Sequence, residues 1–81
     1  FVEAMGDYVT LHTESQKLTF NTSLKAFYDQ LNDPAFVRVH KSYFVNLRKI
    51  DFVEGNQIQI GKSTIPVGNA YKVGFQERFY S

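Results

Sequence analysis

Residues 36–47 interleave basic and polar side chains with apolar ones at the spacing of a β-strand. They read Phe-Val-Arg-Val-His-Lys-Ser-Tyr-Phe-Val-Asn-Leu. From Ala35 to Ile50 the chain carries four cationic residues, the ring of His40 and no Asp or Glu, whereas the rest carries five Lys or Arg against eight acids. A domain with a net charge of only +1 therefore contains a segment of charge +4. Such a local field attracts a polyanionic partner.

The same segment contains His40 and Ser42, a pair of residue types that serves nucleophilic catalysis in some enzymes. Residues i and i+2 of one strand point the same way, and this spacing does not give the in-line hydrogen bond that activates a serine. No third group that would orient the histidine is evident in the sequence. We therefore predict no catalytic residue, and we predict that the protein is not an enzyme.

The sequence also lacks the ligand patterns of metal and cofactor sites. Neither His12 nor His40 lies at metal-ligand spacing from another His, Asp or Glu, and the chain contains no Cys. Its glycines form neither a GxGxxG motif nor a Walker loop. We predict no metal, no cofactor and no nucleotide site, and we interpret His12 as a surface or sheet-face histidine.

The elements that must position the basic segment follow from periodicity. The pattern predicts one small domain over residues 1–81 that is mainly β, with small antiparallel sheets, one short internal helix and a C-terminal helix. Extended pieces are predicted at residues 8–13, 16–21, 36–40, 44–46, 50–54, 57–60 and 64–67. Gly55-Asn56 supplies a turn, and Pro66 places the last piece at a sheet edge or near a strand end. No run approaches the roughly 18 apolar residues of a membrane span.

Two helices are predicted. Thr22 or Ser23 caps the first, and Asn32-Asp33-Pro34 ends it. Its apolar residues recur at i, i+3, i+4 and i+7 and are Leu24, Phe27, Tyr28 and Leu31. The second begins near Asn69, and its apolar face consists of Tyr71, Phe75 and Phe79.

Charge alone leaves two interpretations of the basic segment open. In the first, its cations form a solvated sheet face and loop. In the second, Lys41 and Ser42 lie in the turn between two strands, where a cation and a hydroxyl reach phosphate oxygens. Asn46 either caps local backbone or reads a base edge, and we favour the cap. His40 shares strand parity with Arg38, so it reaches the same face or is locked against a neighbouring carbonyl.

The order Phe36-x-Arg-Val-His-Lys-Ser-Tyr-Phe-Val-Asn46, followed by Ile50, resembles the central motif of the LytTR DNA-binding domain. This family forms the C-terminal output domain of LytR/AlgR-type bacterial response regulators. The flanking motifs follow in register: Val2-Glu3-Ala4 with Gly6-Asp7-Tyr8-Val9, Ser23-Leu24-Lys25 through Leu31, and Ile65-Pro66-Val67-Gly68 with Tyr71-Lys72. The chain opens mid-pattern without an initiating Met, so we expect it to be part of a longer protein and to lack the family's N-terminal strand.

The resemblance implies that a cytoplasmic response regulator of a two-component system binds double-stranded DNA sequence-specifically, through loops rather than through a recognition helix. It implies contacts from the loop before the first hairpin strand, from the turn after the central His, and from the segment after the last strand. On this chain the implied contact residues are Asp7, Tyr8, Arg38, His40, Lys41, Ser42, Gly68, Asn69 and Lys72.

This chain differs from many relatives at one position that bears on sequence specificity. Many relatives carry Ser-Arg or a lone Arg where this chain has Gly68-Asn69, and Arg is the commonest reader of guanine. Asn69 then becomes a candidate adenine contact and Lys72 a phosphate contact, whereas Asp7 does not favour a phosphate.

Few phosphates would be neutralised per protomer. We therefore expect a dimer on repeated half-sites, with a receiver or sensor domain elsewhere in the full-length chain. The alternative is a β-rich protein–protein interaction module that docks a partner chain at the Pro66 edge or at the aromatic tail.

Overall fold

The structure is a computed structural model that describes residues 1–80. Within these residues the chain forms eight strands, two α-helices and two short 3₁₀ helices. The strands are β1 (Val2–Met5), β2 (Tyr8–His12), β3 (Lys17–Phe20), β4 (Phe36–His40), β5 (Tyr43–Asn46), β6 (Phe52–Glu54), β7 (Gln57–Ile60) and β8 (Ser63–Pro66). The helices are α1 (Leu24–Leu31) and α2 (Lys72–Phe79), with 3₁₀ helices at Leu47–Lys49 and Asn69–Tyr71. The predicted mainly β fold with an internal and a C-terminal helix is confirmed.

The strands form two antiparallel sheets. The larger has the order β3-β2-β1-β5-β4, and the smaller has the order β6-β7-β8. In the larger sheet β1 joins two hairpins, because Glu3 lies opposite Thr10 of β2 and opposite Tyr43 of β5. Sequence periodicity does not predict β1, which only the family resemblance implies. Pro66 lies in β8 at the edge of the smaller sheet, as predicted.

Strands β4 and β5 bury both of their faces, because successive side chains of a strand point to opposite sides. On one side lies the α1 cluster, formed by Val2, Val9, Leu24, Phe36 and Phe44. On the other side lies the α2 cluster, formed by Val37, Val39, Val45, Ile58, Ile65, Val67 and Phe75. The β4–β5 hairpin therefore lies between the two clusters and contributes side chains to both.

Helix α1 begins and ends where its sequence predicts. The Oγ of Ser23 accepts a hydrogen bond from the backbone N–H of Ala26 at 3.1 Å, so Ser23 rather than Thr22 is the cap. Asn32 ends the helix in the left-handed region at φ 46°, which Asn tolerates better than most residues. Leu24 is buried against the sheet, and this contact fixes the helix on one face of β4 and β5.

The end of β4, which is the last strand of its sheet, is bonded to a later segment of the chain. The backbone N–H of Gly68 donates to the carbonyl oxygen of Val39 at 2.8 Å, whereas the bond from the N–H of Leu47 to the carbonyl oxygen of Ala35, also at 2.8 Å, extends the ladder between β4 and β5. The first of these bonds holds the segment that follows β8 against the end of β4.

Phe75 is the one described α2 residue that is fully buried, at 2% exposure in the α2 cluster. Phe75→Ala should lower the free energy of unfolding by about 3 kcal/mol or more, because it empties a packed site. Val73→Ala on the same helix is the matched control; Val73 is 66% exposed, and its loss should change stability by less than about 0.5 kcal/mol. Urea denaturation followed by circular dichroism measures both. Equal effects of the two substitutions would contradict this packing of α2.

Candidate nucleic-acid interface

The turn between β4 and β5 presents Lys41 and Ser42. Lys41 is exposed, and within residues 1–80 no carboxylate lies at ion-pair distance from its ammonium group. The ring of His40 fixes the turn, because its Nδ1 accepts a hydrogen bond from the backbone N–H of Ser42 at 3.1 Å. Since Nδ1 is the acceptor, the neutral ring carries its proton on Nε2 and keeps that N–H as a donor.

A β-bulge lies between Arg38 and His40. Arg38 lies opposite Phe44, whereas His40 lies opposite Tyr43, and Tyr43 and Phe44 point to opposite faces of β5. The rings of His40 and Tyr43 accordingly meet edge to face, with centroids 5.5 Å apart. The prediction that His40 shares strand parity with Arg38 is therefore wrong, because the register shift separates the two side chains.

The guanidinium of Arg38 makes contacts within the protein. Its Nε donates to the carbonyl oxygen of His40 at 3.2 Å, and its Nη2 donates to that of Lys41 at 2.7 Å. Its Cζ lies 5.7 Å from the centre of the Phe44 ring and 5.3 Å from that of the Tyr71 ring. Arg38 thus links the β4–β5 turn to the segment that follows β8.

The segment after β8 approaches the same turn through Gly68. A Cβ atom on Gly68 would lie 3.3 Å from Cδ2 of Tyr71 and 3.6 Å from Cδ2 of His40, so the missing side chain permits the close approach. The 3₁₀ helix Asn69–Tyr71 follows at once. Asn69 and Lys72 are exposed at its two ends.

The turn between β1 and β2 reaches the same end of the larger sheet. The backbone N–H of Ala4 donates to the carbonyl oxygen of Ser42 at 2.8 Å, which places this turn beside the Lys41 turn. Gly6 adopts φ 58°, in the left-handed region that a tight turn requires. Asp7 is exposed, and Tyr8 is 52% exposed. All the contact residues that the family resemblance implies therefore lie in three segments that meet at one end of the larger sheet, which we call the turn end.

The remaining cations of the basic segment lie at the other end of β5. Lys49 pairs with Glu14 of the β2–β3 turn, with 3.4 Å between Nζ and Oε1. Asn46 caps the 3₁₀ helix that carries Arg48, since its Oδ1 accepts from the N–H of Arg48 at 2.9 Å. The predicted capping role of Asn46 is confirmed. The charge of +4 is thus divided between two ends of a strand rather than gathered in one patch.

Side-chain hydrogen bonds link β1 to both neighbouring strands, and the sequence does not reveal them. The hydroxyl of Tyr43 donates to Oε2 of Glu3 at 3.0 Å, and Nε2 of His12 lies 3.0 Å from Oε1 of Glu3. Partial burial, together with the hydrogen bond to Glu3 and its negative charge, raises the pKa of the Tyr43 phenol. Sequence spacing conceals this network because its members come from three strands. His12 lies on the sheet face, which agrees with its predicted role.

The hydrogen bond between residues 40 and 42 uses the backbone N–H of Ser42 and not its hydroxyl. Within residues 1–80, no group of three His, Asp or Glu side chains is placed to hold a metal ion. In that same part of the chain, no helix is long and apolar enough to cross a membrane.

The turn end presents exposed ammonium groups, amides, a hydroxyl and a ring N–H. These groups suit the oxygens and base edges of a polyanion.

Two antiparallel sheets that gather three turn segments and their cations at one end define a β domain suited to a polyanionic ligand. The family model of the LytTr DNA-binding domain matches residues 1–80. The chain belongs to this family of DNA-binding domains, and the family that the sequence motifs predict is confirmed. No curated protein and no solved structure matches the chain.

Two substitutions of His40 should separate the acceptor function of its ring from its bulk. His40→Asn keeps a side-chain acceptor for the backbone two residues on, as Asn46 does for Arg48. His40→Leu keeps an apolar side chain of moderate size but leaves the N–H of Ser42 without its partner. We expect His40→Leu to lower the free energy of unfolding by about 1 kcal/mol more than His40→Asn. Equal stabilities in urea denaturation would contradict the role of Nδ1 in fixing the turn.

Proposed function

We propose that this chain is the sequence-specific, double-stranded-DNA-binding output domain of a bacterial two-component transcriptional regulator in the cytoplasm. One observation carries the proposal: three turn segments meet around the unpaired Lys41, in a chain that belongs to a family of DNA-binding domains. The hydrogen bonds from Ala4 to Ser42 and from Gly68 to Val39 hold these segments side by side. A duplex lying across the turn end would meet all three.

Turns and loops, rather than a recognition helix, read the DNA in this proposal. Helix α1 uses its apolar stripe to cover one face of the larger sheet, and α2 is anchored in the core through Phe75. The elements at the turn end are instead the tips of two hairpins and the short 3₁₀ helix Asn69–Tyr71. Their backbone N–H groups and short side chains are what a groove or a phosphate would contact.

The side chains at the turn end divide between positioning the duplex and reading it. Lys41 and Lys72 are exposed and neutralise phosphates, and the hydroxyl of Ser42 accompanies Lys41. Asn69 presents an amide that suits adenine, and Nε2–H of His40 suits an acceptor on a base edge or a phosphate.

Asp7 and Tyr8 occupy the third segment. A carboxylate is repelled by phosphates, so Asp7 is placed best where it avoids the DNA backbone or accepts from an exocyclic amine. Tyr8 is half exposed beside it and offers both a ring face and a hydroxyl. This segment would add discrimination between sequences rather than general affinity.

A single copy neutralises few phosphates, which limits its affinity at physiological salt. Two copies on repeated half-sites would raise the overall affinity through effective concentration, with dimerisation supplied by a receiver or sensor domain of the full-length protein. The proposal therefore assigns regulation to a segment outside this domain.

The structure weakens one of the two supports for a protein–protein interaction module, the aromatic tail. Phe75 is buried, and its ring stacks on that of Phe79 at 5.4 Å between centroids. The aromatic tail thus serves largely to pack the core, although Tyr80 is 67% exposed. A DNA titration at low salt distinguishes the two functions, because the interaction module would retain no duplex.

Lys41→Ala should weaken binding to a pool of random duplexes and to a selected duplex by a similar factor. Loss of one phosphate contact should reduce the slope of log K against log salt concentration by about 0.9. Lys17→Ala is the matched control, since it removes the same charge from β3 beside the turn at the opposite end of the sheet. Fluorescence anisotropy at several salt concentrations gives affinity and slope. Unchanged affinity of a folded Lys41→Ala variant would mean that this docking face is wrong.

Asn69→Ala should relax the base preference at one position of the operator and leave the salt slope unchanged. A bidentate amide contact to adenine contributes about 1–3 kcal/mol of discrimination. Selection of bound duplexes from a random pool, followed by sequencing, measures the preference for wild type and variant. Gln76→Ala, which removes an exposed amide from α2, should leave the selected sequence unchanged. Identical preferences for the wild type and the Asn69 variant would exclude Asn69 from base readout.

A further inference from the structure

Arg38 makes hydrogen bonds within the protein that connect its side chain to the Lys41 turn. Its Nε and Nη2 atoms form one edge of the guanidinium, and they donate to the carbonyl oxygens of His40 and Lys41. Through such an edge an arginine commonly binds a phosphate or carboxylate with two parallel hydrogen bonds. In this chain the edge is instead hydrogen-bonded to the backbone of the turn that carries Lys41.

Two aromatic rings also lie close to the same guanidinium. The rings of Phe44 and Tyr71 are both within cation–π distance of Cζ, at 5.7 and 5.3 Å. Phe44 is buried in the α1 cluster, so the first contact joins Arg38 to the core. Tyr71 lies near Gly68 together with His40, so the second contact joins Arg38 to the segment after β8.

These hydrogen bonds restrain the backbone on both sides of Lys41. Arg38 binds the carbonyl oxygens of His40 and Lys41, and the ring of His40 binds the N–H of Ser42. The peptide units on both sides of Lys41 are thereby fixed before any ligand arrives. A side chain whose backbone is preorganised loses less entropy on binding than one on a mobile turn.

We propose that Arg38 is a positioning residue, which acts on DNA by holding the Lys41 turn and does not itself neutralise a phosphate. The inference rests on the proposed DNA-binding function. The competing assignment is the direct DNA contact that the family resemblance implies for Arg38.

Arg38→Lys separates the two assignments, because lysine keeps the charge but lacks the planar fork and the stacking surface. A positioning role predicts that the substitution weakens binding to a fixed duplex about tenfold, equivalent to about 1.4 kcal/mol. In the Lys41→Ala background the same substitution should weaken binding by less than about twofold, since the residue it positions is gone. Arg48→Lys, the same change at the other end of β5, is the matched control and should leave affinity unchanged in both backgrounds.

A structural readout of the free protein completes the test. In the free protein, the backbone amide resonances of Lys41, Ser42 and Tyr71 should shift in Arg38→Lys while those of α1 stay in place. Retained affinity of Arg38→Lys, or losses that add fully to those of Lys41→Ala, would overturn the positioning role. The α1 resonances, which stay in place only if the variant is folded, separate such additive losses from a general loss of folded protein. Failure of the wild type to bind any duplex at low salt would instead overturn the proposed function, and the two failures are therefore distinguishable.

Discussion

The hairpin of β4 and β5 is buried on both faces, and the rest of the chain is arranged to cover it. Antiparallel strands commonly leave one face in water. Here Val39 and Val45 are fully buried on one side, while Phe36 and Phe44 are 8% and 6% exposed on the other. A domain of 81 residues buries only about 60–65% of the surface that its unfolded chain exposes. Covering one hairpin twice therefore requires both helices and the whole smaller sheet.

Burial on both faces determines where the polar groups of this hairpin can lie. A polar side chain in the middle of β4 or β5 must reach an end of the strand or lose its hydrogen bonds. Arg38 reaches the turn carbonyls, the bulge turns His40 to the face of Tyr43, where its ring bonds the turn backbone, and Asn46 caps the chain at the opposite end. Functional groups therefore collect at the two ends of the hairpin. One end is paired with Glu14, and the other leaves Lys41 available to a ligand.

Features that depend on local chemistry could be predicted from the sequence. The cap and apolar stripe of α1, the turn at Gly55-Asn56 and the edge position of Pro66 each follow from nearby residues. The family motifs pointed to the three segments that the structure brings together at the turn end.

The bulge in β4, the partners of Arg38 and the division of the basic segment could not be predicted. Each of these depends on pairing between residues that the fold brings together, as when Gly68 meets Val39 across 29 positions. A four-residue strand such as β1 also carries too short an alternation to stand out from the pattern.

Because the basic segment is divided between two ends of a strand, only part of its charge acts on a ligand at the turn end. At physiological ionic strength the Debye length is about 8 Å, whereas the four residues of β5 span about 13 Å. Arg48 and Lys49 therefore contribute little to the field at Lys41, and Glu14 already neutralises part of theirs. In the proposed binding mode, a ligand at the turn end would meet Lys41 and Lys72 together with Asp7. Such a modest local field agrees with the proposed docking by a few well-positioned contacts and with the proposed gain of affinity from a second copy.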